Sequence, residues 1–220
     1  TQLYVDRRGN PENFQFGLDT LAKIRTYAAL ANASRNTSND IYITEVNWPL
    51  SNMAPWAPAK TYLIEESLQS SYLVRYYLLM LASGKVQKCF WHQLIAPGYG
   101  LVNNLNGQII KRDAYYCFKH LVESLTGGKT KKLIREKNLF CLVIEKDDTI
   151  IEAIWSSDKK ASFKSNPDQK ICDMRGKIID TKNSPVVNIT GEVVYIEKLK
   201  TGYQEFNFKE TSKVSAGFPH

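Results

Sequence analysis

Up to Leu125 the apolar positions alternate between helix-sized and strand-sized patches. Leu18, Leu21, Ala22, Ile24, Ala28 and Ala29 recur with a period of about 3.6, which predicts a helix over 13–33. A polar turn over 34–40 ends it. The β-rich run Ile41-Tyr42-Ile43-Thr44 then stops at Glu45-Val46-Asn47-Trp48-Pro49, where Pro49 removes a ladder donor. After a Pro-punctuated loop to residue 61, the stripe Leu68, Tyr72, Leu73, Tyr76, Leu79 and Met80 predicts a second helix, stopped by Ser83-Gly84. Residues 86–91 read as another short strand, followed by a loop over 96–100 and a turn over 103–107. A third helix is expected over 112–125, with Ala114, Tyr115, Phe118, Leu121, Val122 and Leu125 on its buried side. With the strand-like Leu3-Tyr4-Val5 at the start, strand followed by helix occurs three times. That is the pattern of βα units with parallel strands.

Gly127-Gly128 breaks the pattern, and helical periodicity does not return. Short β-rich runs over 139–144, 149–155, 161–163, 177–179, 186–189 and 193–196 take over. Between them stand turn residues such as Asp147-Asp148, Asn166-Pro167, Asn183-Ser184-Pro185 and Thr190-Gly191. This texture predicts an antiparallel sheet or small β-sandwich of about 75 residues. Residues 205–220 show little pattern and read as an exposed tail. The expected organisation is therefore 1–126, 127–204 and a tail over 205–220, in an α/β chain with an appended β-domain.

Composition narrows the class. With 43% hydrophobic residues in a chain of 220, there is enough apolar surface to fold, which excludes disorder. Twelve Gly and eight Pro exclude collagen-like repeats. The four cysteines, Cys89, Cys117, Cys141 and Cys172, form no C-x-x-C pair, so reduced thiols are expected rather than a zinc ribbon or a disulfide framework. No apolar run approaches the ~20 residues that span a bilayer, so no membrane partner is expected. The N-terminus has neither an initiating Met nor the order of a signal peptide, so the chain reads as an excised or processed piece.

The net charge of +7 is concentrated partly in Lys129, Lys131, Lys132, Arg135 and Lys137. That run has no interleaved aromatics, and a solvated linker explains it better than nucleic-acid binding. Gly128-Lys129-Thr130 resembles the end of a phosphate-binding loop, but the position of its first glycine is Glu123. The histidines His92, His120 and His220 lack metal-ligand spacing; His120 reads as a helix-surface residue, while His92 can reach a substrate. No metal and no cofactor are expected. Sequons at Asn32, Asn36 and Asn188 are of chance frequency.

The informative position is Glu45, a carboxylate directly after a hydrophobic strand and flanked by Asn47 and Trp48. The next strand ends in Phe90-Trp91-His92-Gln93, and the first in Tyr4-Val5-Asp6-Arg7-Arg8. Three strand ends thus bring aromatic faces that can stack on a sugar ring, and polar groups that can hydrogen-bond its hydroxyls. The plain alternative is that Glu45 caps a loop or pairs with an arginine, and that Trp48 and Trp91 are core aromatics.

Thr44-Glu45-Val46-Asn47-Trp48-Pro49, Glu65-Glu66-Ser67-Leu68-Gln69, Leu73-Val74-Arg75-Tyr76-Tyr77 and the run Val86 through Trp91 together resemble the C-terminal part of clan A retaining glycoside hydrolases. The likeness is to xylosidase- and cellulase-like families. It implies the last three βα units of a (β/α)8 barrel followed by a β-sandwich. It also implies Glu45 as nucleophile at the end of barrel strand 7 and Trp91 at the end of strand 8. The His-x-Tyr of strand 6 would be Gln2-Leu3-Tyr4, with Tyr4 bonding the nucleophile and Gln2 departing from the pattern. Around the sugar the resemblance places Tyr4, Asn47, Trp48, Trp91, His92 and Gln93.

Retention needs a second carboxylate about 5–5.5 Å from the first. In this clan it is the Glu of an Asn-Glu pair after strand 4, and no Asn-Glu occurs here. Since such a barrel takes about 250 residues, the chain is expected to carry the nucleophile without the acid/base and to be inactive alone. Its expected partners are a carbohydrate substrate and either the missing N-terminal half of the barrel or a second copy of the chain. The competing function is a non-catalytic carbohydrate-binding or protein-interaction module on a remnant barrel.

Overall fold

The computed structural model describes residues 1–5, 9–34, 38–57, 62–158, 160–166 and 169–213. The chain is mixed α/β and divides into two compact units, Thr1–Lys119 and His120–His220. The division falls inside a helix rather than at Gly127-Gly128.

In the first unit, α1 (Thr20–Ala33) begins later than its periodicity suggests. Phe16 and Gly17 have φ of 51° and 79°, outside right-handed helix, and Asp19 then caps the helix by accepting from the Ala22 amide at 2.8 Å. β1 (Ile41–Val46) leads through a 3-10 turn at Ser51–Trp56 to α2 (Glu66–Ser83). α2 stops at Gly84, whose left-handed φ of 59° suits glycine and whose amide returns to Leu81 O. β2 (Val86–Trp91) follows. β3 (Val102–Asn103) and β4 (Ile110–Lys111) form a small antiparallel pair before α3 (Asp113–Leu125).

β1 pairs with β2 in parallel, and Thr1 to Leu3 flank β1 on its other side through Thr44 N to Thr1 O at 2.8 Å and Leu3 N to Glu45 O at 3.3 Å. Among the described residues, a bridge of Gln2 with Glu45 marks the first expected strand. Ile41, Ile43 and Val46 are buried on one face of this sheet. α2 is tied to both flanking strands, because Tyr76 Oη donates to Leu3 O at 2.7 Å and Tyr77 Oη to Cys89 O at 3.3 Å. The other face stays open: Tyr42 is 42% and Phe90 50% exposed, and the Lys88 ammonium lies 5.4 Å from the Tyr42 ring. Among the described residues nothing pairs with the outer edge of β2. Behind the sheet, buried Arg75 of α2 holds the equally buried Glu12 in a bidentate pair, fixing the irregular segment before α1.

The second unit contains β5 (Lys129–Glu136), β6 (Leu139–Lys146), β7 (Thr149–Ser156), β8 (Ala161–Lys164), β9 (Lys170–Cys172), β10 (Val186–Ile189), β11 (Val194–Leu199) and β12 (Ser212–Lys213). They form two antiparallel sheets in the orders β5-β6-β7-β11-β9 and β10-β8-β12. Cys141, Val143, Ile154 and Ile196 of the first share a core with Phe163, Val187 and Ile189 of the second.

Several expectations change here. The basic run is no linker but edge strand β5, where Lys131 pairs with Glu145 and Lys132 with Glu205. Lysines on an edge strand discourage further pairing. The 177–179 run is irregular apart from one bridge between Cys172 and Ile178. The expected exposed tail is packed in its described part: Phe206 meets Phe163 edge-on, Phe208 is buried, and β12 joins β8. Glu152, wholly buried in the core, anchors this segment by accepting from Tyr203 Oη at 2.7 Å and the Phe206 amide at 2.8 Å, with Lys198 as counter-ion at 2.7 Å. His120, expected on the helix surface, is half-buried. Its ring packs edge-on against Tyr195 with Gly176 closely apposed, and burial holds its pKa below the ordinary value. None of the four cysteines is in a disulfide, and burial pushes Cys89 up to about 12 and Cys172 up to about 11.

Candidate active site

Glu45 stands at the end of β1, where strict alternation from buried Ile43 would turn it into the core. The register with β2 shifts between Ile43 and Val46, so that Val46 takes the buried position and Glu45 is left 31% exposed. Irregularities of this kind re-aim side chains beside functional sites. Glu45 Oε2 accepts from Tyr4 Oη at 2.9 Å, and Oε1 faces His92 Nδ1 at 3.9 Å. The carboxylate is thus supported from both neighbouring strand ends and open between them.

Of the residues expected around a sugar, Tyr4, His92 and Gln93 reach the open side of Glu45's strand ends, and Trp91 is half-buried. Asn47 and Trp48 do not reach it, being 2% and 0% exposed. Both act from beneath: Asn47 Nδ2 donates to His92 O at 2.6 Å, while Trp48 stacks under Trp91 at 6.0 Å and donates its indole N–H to Gly9 O. A large indole with a polar handle is buried cheaply when that handle is satisfied, so Trp48 belongs to the core. Asp6, Arg7 and Arg8 lie outside the described residues.

Tyr99 is a residue that the strand-end pattern misses. Its ring lies parallel to His92, 5.8 Å between centroids and 11° between planes, and its hydroxyl meets Gln93 Oε1 at 3.3 Å. The loop that carries it is held by its backbone. Fully buried Gln69 donates one amide group to both Tyr99 O at 3.1 Å and Trp48 O at 3.0 Å. Arg112 grips Gly100 O at 2.9 Å and Pro97 O at 2.6 Å, and Leu50 N meets Gly98 O at 2.9 Å. Gly98 is required there, because a Cβ would stand 2.3 Å from Trp56 O. The signal in the sequence was the pair of glycines about Tyr99, which permits close backbone approach but does not say to what.

Among the described residues, no group of three or more His, Cys, Asp and Glu side chains could hold a metal ion, and no helix is long and apolar enough to cross a membrane. Among the described residues, the polar contacts of the Glu45 carboxylate are Tyr4 and His92, with no second carboxylate among them.

Comparison with known proteins finds likeness at the level of fold. A family 39 glycoside hydrolase from the gut symbiont Bacteroides cellulosilyticus aligns over 88% of this chain at 14% identity with a TM-score of 0.68. A conserved exported protein from Bacteroides fragilis aligns over 80% at 12% identity and a TM-score of 0.50. A GH30 endoxylanase from Clostridium papyrosolvens aligns over 60% at 10% identity and a TM-score of 0.42. The matched parts are 42%, 42% and 38% of those chains, so this chain spans less than half the length of each. No family profile and no curated protein sequence matches it.

Proposed function

We propose that this chain is the C-terminal portion of a retaining O-glycosyl hydrolase, with Glu45 as the nucleophile. In this reading Thr1 to Leu3, β1 and β2 with the helices that follow them are the last three βα units of a (β/α)8 barrel, and the two antiparallel sheets are its β-sandwich. The observation that carries the proposal is the state of Glu45: a strand-end carboxylate, open to solvent, with Tyr4 donating to one oxygen. The fold likeness to a family 39 glycoside hydrolase supports it.

The nucleophile's task follows from this geometry. A carboxylate held by a phenol on one oxygen presents the other to the anomeric carbon, and displacement of the leaving oxygen gives a covalent glycosyl-enzyme. Water then cleaves that ester. Protonating the leaving group and activating the water need a second carboxylate, which the proposal places on polypeptide that these 220 residues do not include. The open face of the sheet, with Tyr42, Lys88 and Phe90, and the unpaired edge of β2 are where that polypeptide, or a second copy of the chain, would dock.

The test is covalent labelling. A 2,4-dinitrophenyl 2-deoxy-2-fluoroglycoside needs no acid to lose its leaving group, so it should modify the full-length protein at the peptide bearing Glu45, and the Glu45→Gln variant should stay unlabelled. Modification at any other carboxylate would remove the assignment. The 220-residue chain by itself should show no turnover of ordinary aryl glycosides.

A further inference from the structure

Glu152 is wholly buried in the second unit, where a charge is costly to hold and a paired one is a poor source of stability. Its partners all belong to one stretch of surface. One carboxylate oxygen accepts from both Tyr203 Oη and the Phe206 amide, and Lys198, its counter-ion, also donates to Gln204 O at 3.0 Å. The same stretch is pinned by Lys200 N to Asp148 O at 2.8 Å, and by edge-on contacts of Phe206 with Phe163 and Phe208 at 5.1 and 5.2 Å. A wall secured from the core in this way has its ordering cost met before a ligand arrives.

The wall borders a cleft of about 780 Å³ that lies wholly in the second unit, between β8, the start of β9 and the C-terminal half of β11. That size suits a small ligand or a short length of polymer. The half-buried rings of Tyr203 and Phe206 line it together with the amide side chains of Asn166, Gln169, Gln204 and Asn207. Three lysines and three glutamates line it as well, and Lys170 is paired with Glu197 at 2.6 Å and Lys198 with Glu152, so the cleft offers no excess charge of either sign to a charged polymer. Aromatic faces beside amide donors and acceptors suit a neutral sugar, whose C–H face lies on a ring while its hydroxyls meet the amides.

We propose that this cleft is a carbohydrate-binding site of the second unit, taking a short neutral segment of a polysaccharide. Tyr203 and Phe206 receive the sugar faces, and Gln169 and Gln204 receive hydroxyls. The site needs neither Glu45 nor hydrolysis, so it stands apart from the glycosidase reading. Its effect is to retain the protein on a polymer, which raises the local concentration of substrate for any second site on the same molecule.

The test uses the full-length protein carrying Glu45→Gln, so that bound polymer is not cut, in affinity electrophoresis through gels containing xylan, arabinan, galactan, mannan or mixed-linkage β-glucan, with polygalacturonate as the charged comparison. At least one neutral polymer should retard it. Gln204 is exposed and its backbone oxygen keeps its bond to Lys198 whatever the side chain, so Gln204→Ala should fold normally and raise Kd about two- to tenfold, the loss of one hydrogen bond. Adding Gln169→Ala should raise it further. Phe206→Leu should weaken retardation, and Phe206→Tyr, which keeps an aromatic face, should restore most of it. Retardation unchanged in the Gln204→Ala, Gln169→Ala double variant would overturn the inference, and so would retardation by polygalacturonate alone or by none of the neutral polymers. Each of those outcomes leaves fluoro-sugar labelling of Glu45 as it was, whereas failed labelling with retardation intact would remove the glycosidase reading and leave the cleft standing.

Discussion

Tyr4 and Glu45 meet because the first residues of the chain run alongside β1, which brings one strand's phenol level with the next strand's carboxylate. A hydrogen bond to a charged acceptor contributes about 1.5–3 kcal/mol. Tyr4→Phe should therefore slow fluoro-sugar labelling of Glu45 by about 10- to 100-fold, measured as the rate of mass shift, with little change in melting temperature. Arg75 and Glu12 make the opposite kind of pair, buried and remote from solvent. Glu12→Gln leaves a buried guanidinium without its counter-charge and should cost about 3–5 kcal/mol in denaturant unfolding, whereas replacing both residues with apolar ones of similar volume should cost far less. At this scale the sequence showed which side chains gather at the strand ends, and the structure brings Glu45, Tyr4 and His92 together there. It left Trp48 between sugar face and core, because its burial depends on a carbonyl at Gly9, and it was silent on Tyr99, whose placement depends on a loop being folded back by Gln69 and Arg112.

Elements were legible where periodicity and punctuation agree. β1, β2, the extent of α3 and the Gly84 stop of α2 follow the pattern of the chain closely, but Val122, expected on the buried side of α3, is 47% exposed. α1 was overextended because Leu18 fits the helical period, while the positive φ at Phe16 and Gly17 and the Asp19 cap overrule it. β5 was missed because an edge strand shows charge where an inner strand shows alternation. Its ion pairs also predict how the second unit responds to acid. Glu145, held by Lys200 and Lys131, titrates at about 2 instead of the ordinary 4.5. Its carboxyl is more acidic folded than unfolded, so its contribution to stability is whole above pH 4.5 and is lost as pH falls toward 2. The unfolding midpoint should decline across that window, Glu145→Gln should flatten the decline, and high salt should do the same because both lysines of the cluster reach well into solvent.

At the scale of the molecule, the sheet of the first unit is finished on one face and one edge only. Tyr42 and Phe90 stand in solvent on the open face, and among the described residues nothing pairs with the outer side of β2. Such an edge pairs readily with another chain. The purified 220-residue chain should accordingly self-associate, with a concentration-dependent sedimentation coefficient, and Phe90→Glu should shift it toward monomer. A concentration-independent monomer for the unmodified chain would count against the proposed docking face.

One further consequence follows from how the Tyr99 loop is secured. Gln69, Arg112 and Leu50 all take hold of its carbonyl oxygens, so these bonds do not depend on which side chains the loop carries. Shape and display are therefore separable there. Successive substitutions at Tyr99, or at exposed Leu94 and Ile95, can alter what the loop shows to a ligand without unfastening it. A lineage could in that way trade one sugar preference for another by single steps, each intermediate keeping a formed site.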